Sequence, residues 1–261
     1  NIRRNQFSIK ELTAGDPGPV FMLPIACVGQ QINAVAFDKT GTITKGEPKI
    51  FVRLSRQSGM PKNISKAHRV YLPLGCDLPA HPNVGVEIPR ALFCGEEYVK
   101  KQLKIAKEQG AKYALCHNLA AVTLARQAEL EVDLGFGMNI YNGHSARWLD
   151  CNSVTLSFEL TLRQAASVGK GGVIAYGRLP LMITENCLFF NRAQEGICNR
   201  GPMKLVDKTG AEFPIIKDGN SCRSVLLNGK KLSLLDRQED LSHLGLWATR
   251  LYFTTENPRE V

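Results

Sequence analysis

The sequence predicts an α/β protein: a TIM-like β/α barrel, complete or short of its full ring, with an antiparallel hairpin appendage at its C-terminal end. Three observations predict it. Between residues 48 and 176, short strand-like runs alternate with helix-like ones at the spacing of parallel βαβ units. The Gly-rich turn that marks an open dinucleotide-binding sheet is missing. Polar residues recur where successive strands should end, at Asn139 and Asn142, Glu159 and Arg178. In a β/α barrel those ends meet on one face.

Each element has a local reason. Ile50 to Leu54 and Arg69 to Leu74 are short apolar runs of strand length. Glu96 to Gln109 reads as a helix, because Val99, Leu103 and Ala106 share a face and Gly110 stops it. Lys112 to Leu115 is a strand, and Asn118 to Leu130 is a helix rich in Ala and Leu. Val132 to Ile140 reads as a strand loosened by Gly135 and Gly137. Ser153 to Ser157 is the next strand, Thr161 to Val168 a short helix, and Gly172 to Tyr176 a further strand. After Cys187 the turn signals become dense, with Asp218-Gly219 and Asn228-Gly229 among them. They separate strand candidates at 204–206, 213–216, 224–227 and 231–235, which reads as hairpins. A helix near 237–244 and a strand over 249–253 close the chain. The expected organisation is an N-terminal segment or linker over 1–47, a barrel body over 48–187, and a Cys-bearing appendage over 188–261.

Composition narrows the function classes. Hydrophobic residues make up 44% and charged residues 22% of 261, ordinary for a globular chain with room for a sizeable core. No apolar run is long enough to span a membrane. The first residues, from Asn1, show neither Met nor a secretion signal, so the expectation is a fragment of a longer chain whose N-terminal part is missing. Thirty-three Lys and Arg against 24 Asp and Glu give +9, a balance that favours acidic partners such as RNA. Lys100, Lys104 and Lys107 would share a helix face, but Glu96 and Glu97 precede Lys100 and Lys101 at pairing distance, as on a solvated helix. Eight scattered cysteines with no close pair read as reduced thiols in cytoplasm. Cys27, Cys94 and Cys116 stand in apolar company and read as core residues.

One conspicuous motif points elsewhere. Asp38-Lys39-Thr40-Gly41-Thr42-Ile43-Thr44 resembles the phosphorylation loop of P-type cation ATPases, with Asp38 as the nucleophile. Phosphoryl transfer of that kind also needs membrane helices and a Mg²⁺-binding Asp pair. The nearest approach to the latter, Lys217-Asp218-Gly219-Asn220, has no paired aspartates. This is the minor reading.

The segment from Tyr176 carries more chemistry. An apolar strand feeds Gly177-Arg178-Leu179-Pro180, and thiols follow at Cys187, Cys198 and Cys222. Arg178 at a strand end can grip a carboxylate or phosphate in a bidentate pair, and Glu159 can act as general base. His117 and His144 follow strand-like segments and are the candidate imidazole partners. Three thiols offer most of a metal or cluster site, with Cys76, His81 or a substrate as a fourth ligand.

Residues from about 48 to 261 resemble the collagenase-like peptidase family, classed as unknown-mechanism peptidase family 32. The resemblance rests on Ser157-Phe158-Glu159-Leu160-Thr161-Leu162, Tyr176-Gly177-Arg178-Leu179-Pro180-Leu181-Met182 and Asn186-Cys187. Leu205-Val206-Asp207-Lys208, Phe213-Pro214 and Asn139-Ile140-Tyr141-Asn142 extend it in chain order. It is similar to the C-terminal barrel half of the long bacterial members. The resemblance implies a barrel-like fold and a peptidase acting on peptide or protein substrates. In related branches it implies iron–sulfur-dependent hydroxylation of RNA, or a non-catalytic RNA-binding half. The expected site is Glu159 and Arg178 as catalytic residues, Asn139, Asn142 and His144 as substrate-binding residues, and Cys187, Cys198 and Cys222 as ligands of a metal ion or iron–sulfur cluster.

Overall fold

The structure is a computed structural model that describes residues 36–37, 43–44, 49–55, 60, 64–93, 95–168, 171–188, 203–218, 223–237, 241 and 246–256. The chain divides into two compact units, Asn1–Glu47 and Pro48–Val261. In the first, β1 (Ala36–Phe37) and β2 (Ile43–Thr44) pair antiparallel, Phe37 opposite Ile43. Asp38 and the rest of its loop lie outside the described residues.

The second unit begins with three strands, β3 (Lys49–Arg53), β4 (Arg69–Pro73) and β5 (Val84–Glu87). Helices then alternate with strands: α1 (Glu96–Glu108), β6 (Tyr113–Cys116), α2 (Leu119–Gln127), β7 (Glu131–Leu134), α3 (Gly143–Trp148), β8 (Ser153–Val154), α4 (Leu162–Val168) and β9 (Gly172–Gly177). The remainder supplies β10 (Pro180–Thr184), β11 (Met203–Val206), β12 (Glu212–Lys217), β13 (Ser224–Leu227), β14 (Leu232–Ser233) and β15 (Ala248–Tyr252). Nine strands form a curled, half-barrel sheet in the order β14-β9-β15-β3-β4-β5-β6-β7-β8. All its pairings are parallel except that of the short edge strand β14 with β9. Beyond the end of β8, Thr155 bridges Gly172 in parallel register, and the Leu156 N–H donates to the Gly172 carbonyl at 2.8 Å. The smaller sheet, β10-β13-β12-β11, is antiparallel throughout.

The alternation of side chains explains why the large sheet is buried on both faces. On β3, Phe51 joins one cluster, with Tyr71, Leu115, Phe136, Ile174 and Tyr252, while its neighbour Val52 joins another with Val70, Leu72 and Val84. α1 packs Val99, Leu103 and Ala106 against the sheet, and α2 packs Ala121, Val122, Leu124 and Ala125. Burial of each larger apolar side chain contributes about 1.5–3 kcal/mol. Asn118 starts α2 by accepting the Ala121 N–H at 2.8 Å. Cys116 belongs to this core, and burial pushes its thiol pKa up. Cys27 and Cys94 lie outside the described residues.

Several elements differ from their sequence readings. The strand expected over 132–140 ends at Leu134, where Phe136–Met138 turns into a 3₁₀ helix and Asn139 takes a left-handed conformation. Leu232–Ser233, expected in the hairpin appendage, joins the large sheet instead. The antiparallel sheet takes an edge strand from Pro180–Thr184, ahead of Cys187. β5 and α3 have no counterpart among the expected elements. The helix expected near 237–244 falls largely outside the described residues. No helix among the described residues is long and apolar enough to cross a membrane.

Candidate active site

A cavity of about 450 Å³ opens where the parallel strands end. Arg53, Pro73, Glu87 and Tyr252 are the last residues of β3, β4, β5 and β15, and Arg178 directly follows β9; all five line it. The small antiparallel sheet supplies the facing wall with Ile183, Ile216, Val225 and Leu227. Parallel strands aim their terminal residues at a common face, which is where β/α folds assemble chemistry.

Glu87 anchors the floor. Arg53 Nε donates to Glu87 Oε2 at 2.7 Å, and His117, which follows β6, meets Glu87 Oε1 through Nε2 at 3.1 Å. The Gly137 N–H donates to His117 Nδ1 at 3.3 Å, so Nδ1 is the acceptor and Nε2 carries the proton given to Glu87. Burial lowers the His117 pKa, with Arg90 and Arg53 adding to it against the opposing pull of Glu87. The ring is therefore neutral, and both nitrogens are engaged. His117 positions Glu87 and leaves no free nitrogen to activate a nucleophile. Burial works against ionised Glu87, but the Arg53 charge and the His117 hydrogen bond outweigh it and hold the carboxyl at about 2.

Asp218 follows β12 and faces the same cavity with the opposite bias. Burial raises its pKa, the Glu87 charge raises it further, and Arg223, Arg53 and Arg90 pull against both. Two carboxyl groups in one cavity are thus driven apart in proton affinity.

The donors around them are fixed by nearby aromatic and backbone groups. Arg178 Nη1 donates to the backbone carbonyls of Asn228, at 2.9 Å, and Gly229. Its Nε is buried and has no acceptor among the described residues. The Arg90 guanidinium lies 5.0 Å from the Phe136 ring centre, and the Tyr252 ring packs on the same Phe136 edge-on at 5.6 Å. The Tyr252 hydroxyl is buried without a hydrogen-bond partner among the described residues, and burial raises its pKa.

Of the residues expected from sequence, Arg178 lines this cavity; Asn139, Asn142, His144 and Glu159 are not among its lining residues. Asn139 and Asn142 lie between β7 and α3, His144 in α3, and Glu159 ahead of α4. Exposed Asn139 accepts from the Ser157 hydroxyl at 2.9 Å. Asn142 caps α3 by accepting the Ser145 N–H at 2.9 Å. His144 is the exposed second residue of that helix, with Nδ1 3.4 Å from Arg147 Nη2. Exposed Glu159 accepts from the Tyr141 hydroxyl. Of the expected thiol ligands, Cys187 is half-buried after β10, while Cys198 and Cys222 lie outside the described residues. Among the described residues, no three His, Cys, Asp or Glu side chains gather as a metal site would require.

Sequence reasoning missed Glu87, Arg90, Asp218 and Tyr252 as site residues. For Glu87 a signal was present, since Val84, Val86 and Ile88 alternate between Pro82 and Pro89. Tyr252 could have been found by applying the strand-end rule to the last expected strand. No family model matches the chain, and no curated protein matches it.

Proposed function

We propose that this chain is a hydrolase of peptide bonds whose active site is the cavity at the parallel strand ends. The observation that carries the reading is the split between Glu87 and Asp218. Pairs of carboxyl groups pushed apart in one site are how a fold assigns an acid–base role to one and a fixed charge to the other. Asp218, raised by burial, takes the proton of an attacking water and returns it to the leaving amine. Glu87 stays ionised and holds Arg53 at the cavity floor. Arg178, locked by two backbone carbonyls at Nη1, presents Nη2 to the developing oxyanion. On this reading the Thr155–Gly172 bridge closes the eight parallel strands into a TIM-like barrel, and β14 lies outside the ring. The resemblance to the collagenase-like peptidases supports the same assignment.

Incubation of the purified protein with a mixture of unstructured peptides, followed by mass spectrometry, tests the proposal. Asp218→Asn should reduce cleavage by roughly 10²–10⁴-fold, the range of general acid–base catalysis. Glu159→Gln should leave it unchanged. The rate should fall with decreasing pH as Asp218 gains its proton, with a midpoint above the ordinary aspartate value. Full activity of Asp218→Asn would reject the assignment.

A second reading, RNA binding, is favoured by the +9 net charge and by five cationic side chains against three carboxylates around the cavity. It would show as salt-sensitive RNA retention without peptide cleavage.

A further inference from the structure

The cavity holds three donor groups that the protein itself leaves unspent. The Tyr252 hydroxyl is on a side chain only 6% exposed, and it has no acceptor among the described residues. The Arg178 Nε is buried in the same state. The Arg90 guanidinium, half-buried, makes no hydrogen bond among the described residues. Burial lowers its pKa, a sign that the surroundings under-compensate its charge. A buried donor without an acceptor costs about 1–3 kcal/mol, so the Tyr252 hydroxyl and Arg178 Nε around one cavity define a place where an acceptor is missing, with the half-buried Arg90 charge beside it.

They also converge. Arg90 and Tyr252 pack on the one ring of Phe136, at 5.0 and 5.6 Å. Gly177 is the cross-strand partner of Tyr252, so Arg178 starts one residue beyond it. Facing them is the apolar wall of Ile183, Val225 and Leu227 from the antiparallel sheet.

We propose that the cavity recognises the free C-terminal carboxylate of a peptide whose last side chain is apolar. This deepens the hydrolase reading and rests on it. A planar carboxylate offers two oxygens with the geometry that guanidinium groups take in a fork, and the phenol supplies a third donor. An apolar side chain beside it fills the wall of Ile183, Val225 and Leu227, burying area that water otherwise wets. A phosphate dianion is disfavoured, because Glu87 and Asp218 line the same space and would repel its second charge.

Calorimetry of the wild-type chain with N-acetyl-leucine, N-acetyl-leucinamide and phenyl phosphate tests this. The free acid should bind at least roughly tenfold more tightly than the amide, as expected for loss of a charge-assisted hydrogen-bond set. Phenyl phosphate should bind more weakly than the acid. Tyr252→Phe should weaken the acid about three- to tenfold and the amide by a smaller factor. Equal binding of acid and amide, or tighter binding of phenyl phosphate, overturns the proposal; neither result depends on a variant that has to fold. Peptide cleavage is scored separately. Acid-selective binding without cleavage supports this site and removes the hydrolase reading. Equal cleavage of free and amidated peptides removes the carboxylate site and keeps the hydrolase.

Discussion

Glu87 shows how one carboxylate can be the fixed point of a site. Its side chain is 13% exposed, so burial alone would favour the neutral acid. Arg53 at 2.7 Å and the Nε2–H of His117 at 3.1 Å reverse that preference and hold the group at about 2. A carboxylate depressed on folding contributes stability that is fully present above its unfolded value, near 4.5. That contribution is lost as pH falls through the folded value. The window is therefore about pH 4.5 down to 2, and the loss is on the order of a few kcal/mol. Urea unfolding across this range should show a steep acid loss in the wild type. In Glu87→Gln the loss should be shallower and the protein less stable at pH 7. Removing one partner strands the half-buried Arg53 charge, and breaking a buried pair costs about 3–5 kcal/mol. Parallel pH profiles of the two proteins would show that Glu87 is not the group responsible.

At the scale of the elements, the strand ends decide what the site contains, and β9 ends in a close backbone approach. Gly177 has φ +134°, which L side chains rarely adopt, and a Cβ there would run into the carbonyl oxygen of Tyr252 on β15. Gly177→Ala should therefore displace both the Arg178 and the Tyr252 sides of the cavity. It should also destabilise by roughly 1–3 kcal/mol in thermal unfolding, the scale of a strained backbone position. A variant of wild-type stability and ligand affinity would show that this close approach is relaxed at no cost. The same junction was legible in sequence, because an apolar run followed by Gly-Arg-x-Pro marks a strand end and Arg178 sits on it. α1 and α2 were legible too, from their periodic faces and the Asn118 cap. β5 went unread although Val84, Val86 and Ile88 alternate, because a four-residue strand with Gly85 inside it gives only a short periodic signal, and Glu87 went unnoticed with it. Asn142 misled for a physical reason: Asn caps a helix as readily as it binds a ligand, and here it starts the six-residue α3. Asp218 stood in a turn-like string whose spelling says nothing of the cavity it faces.

The unit from Pro48 to Val261 is held by charges on the inside of the curled sheet as well as by apolar packing. Asp133 on β7 is fully buried and accepts from Arg69 and from the Tyr71 hydroxyl, both on β4, with β5 and β6 lying between them in the sheet. Arg250 on β15 is 1% exposed, lies 4.8 Å from the Phe51 ring centre and donates to the Ser153 hydroxyl on β8 at 2.6 Å. Within the sheet order β15 and β8 are far apart, so this last bond crosses the interior rather than running along the sheet. It lies in the same region as the Thr155–Gly172 bridge, where the Leu156 N–H donates to Gly172 at 2.8 Å and the Thr155 N–H to Leu134 at 2.8 Å. If these bonds close the ring, the Leu156 amide is an interior amide of a continuous barrel and opens only when the barrel unfolds. If the sheet ends there, it is an edge group that frays locally. Native-state hydrogen exchange separates the two. The closed ring predicts that Leu156 exchanges with the same free energy as the core strand amides of Val70 and Val86, and that added denaturant shifts all three together. Exchange of Leu156 by a low-energy local opening, insensitive to denaturant, would leave the fold an open half-barrel. The strand-end cavity would then need the antiparallel sheet, rather than ring closure, to hold its shape.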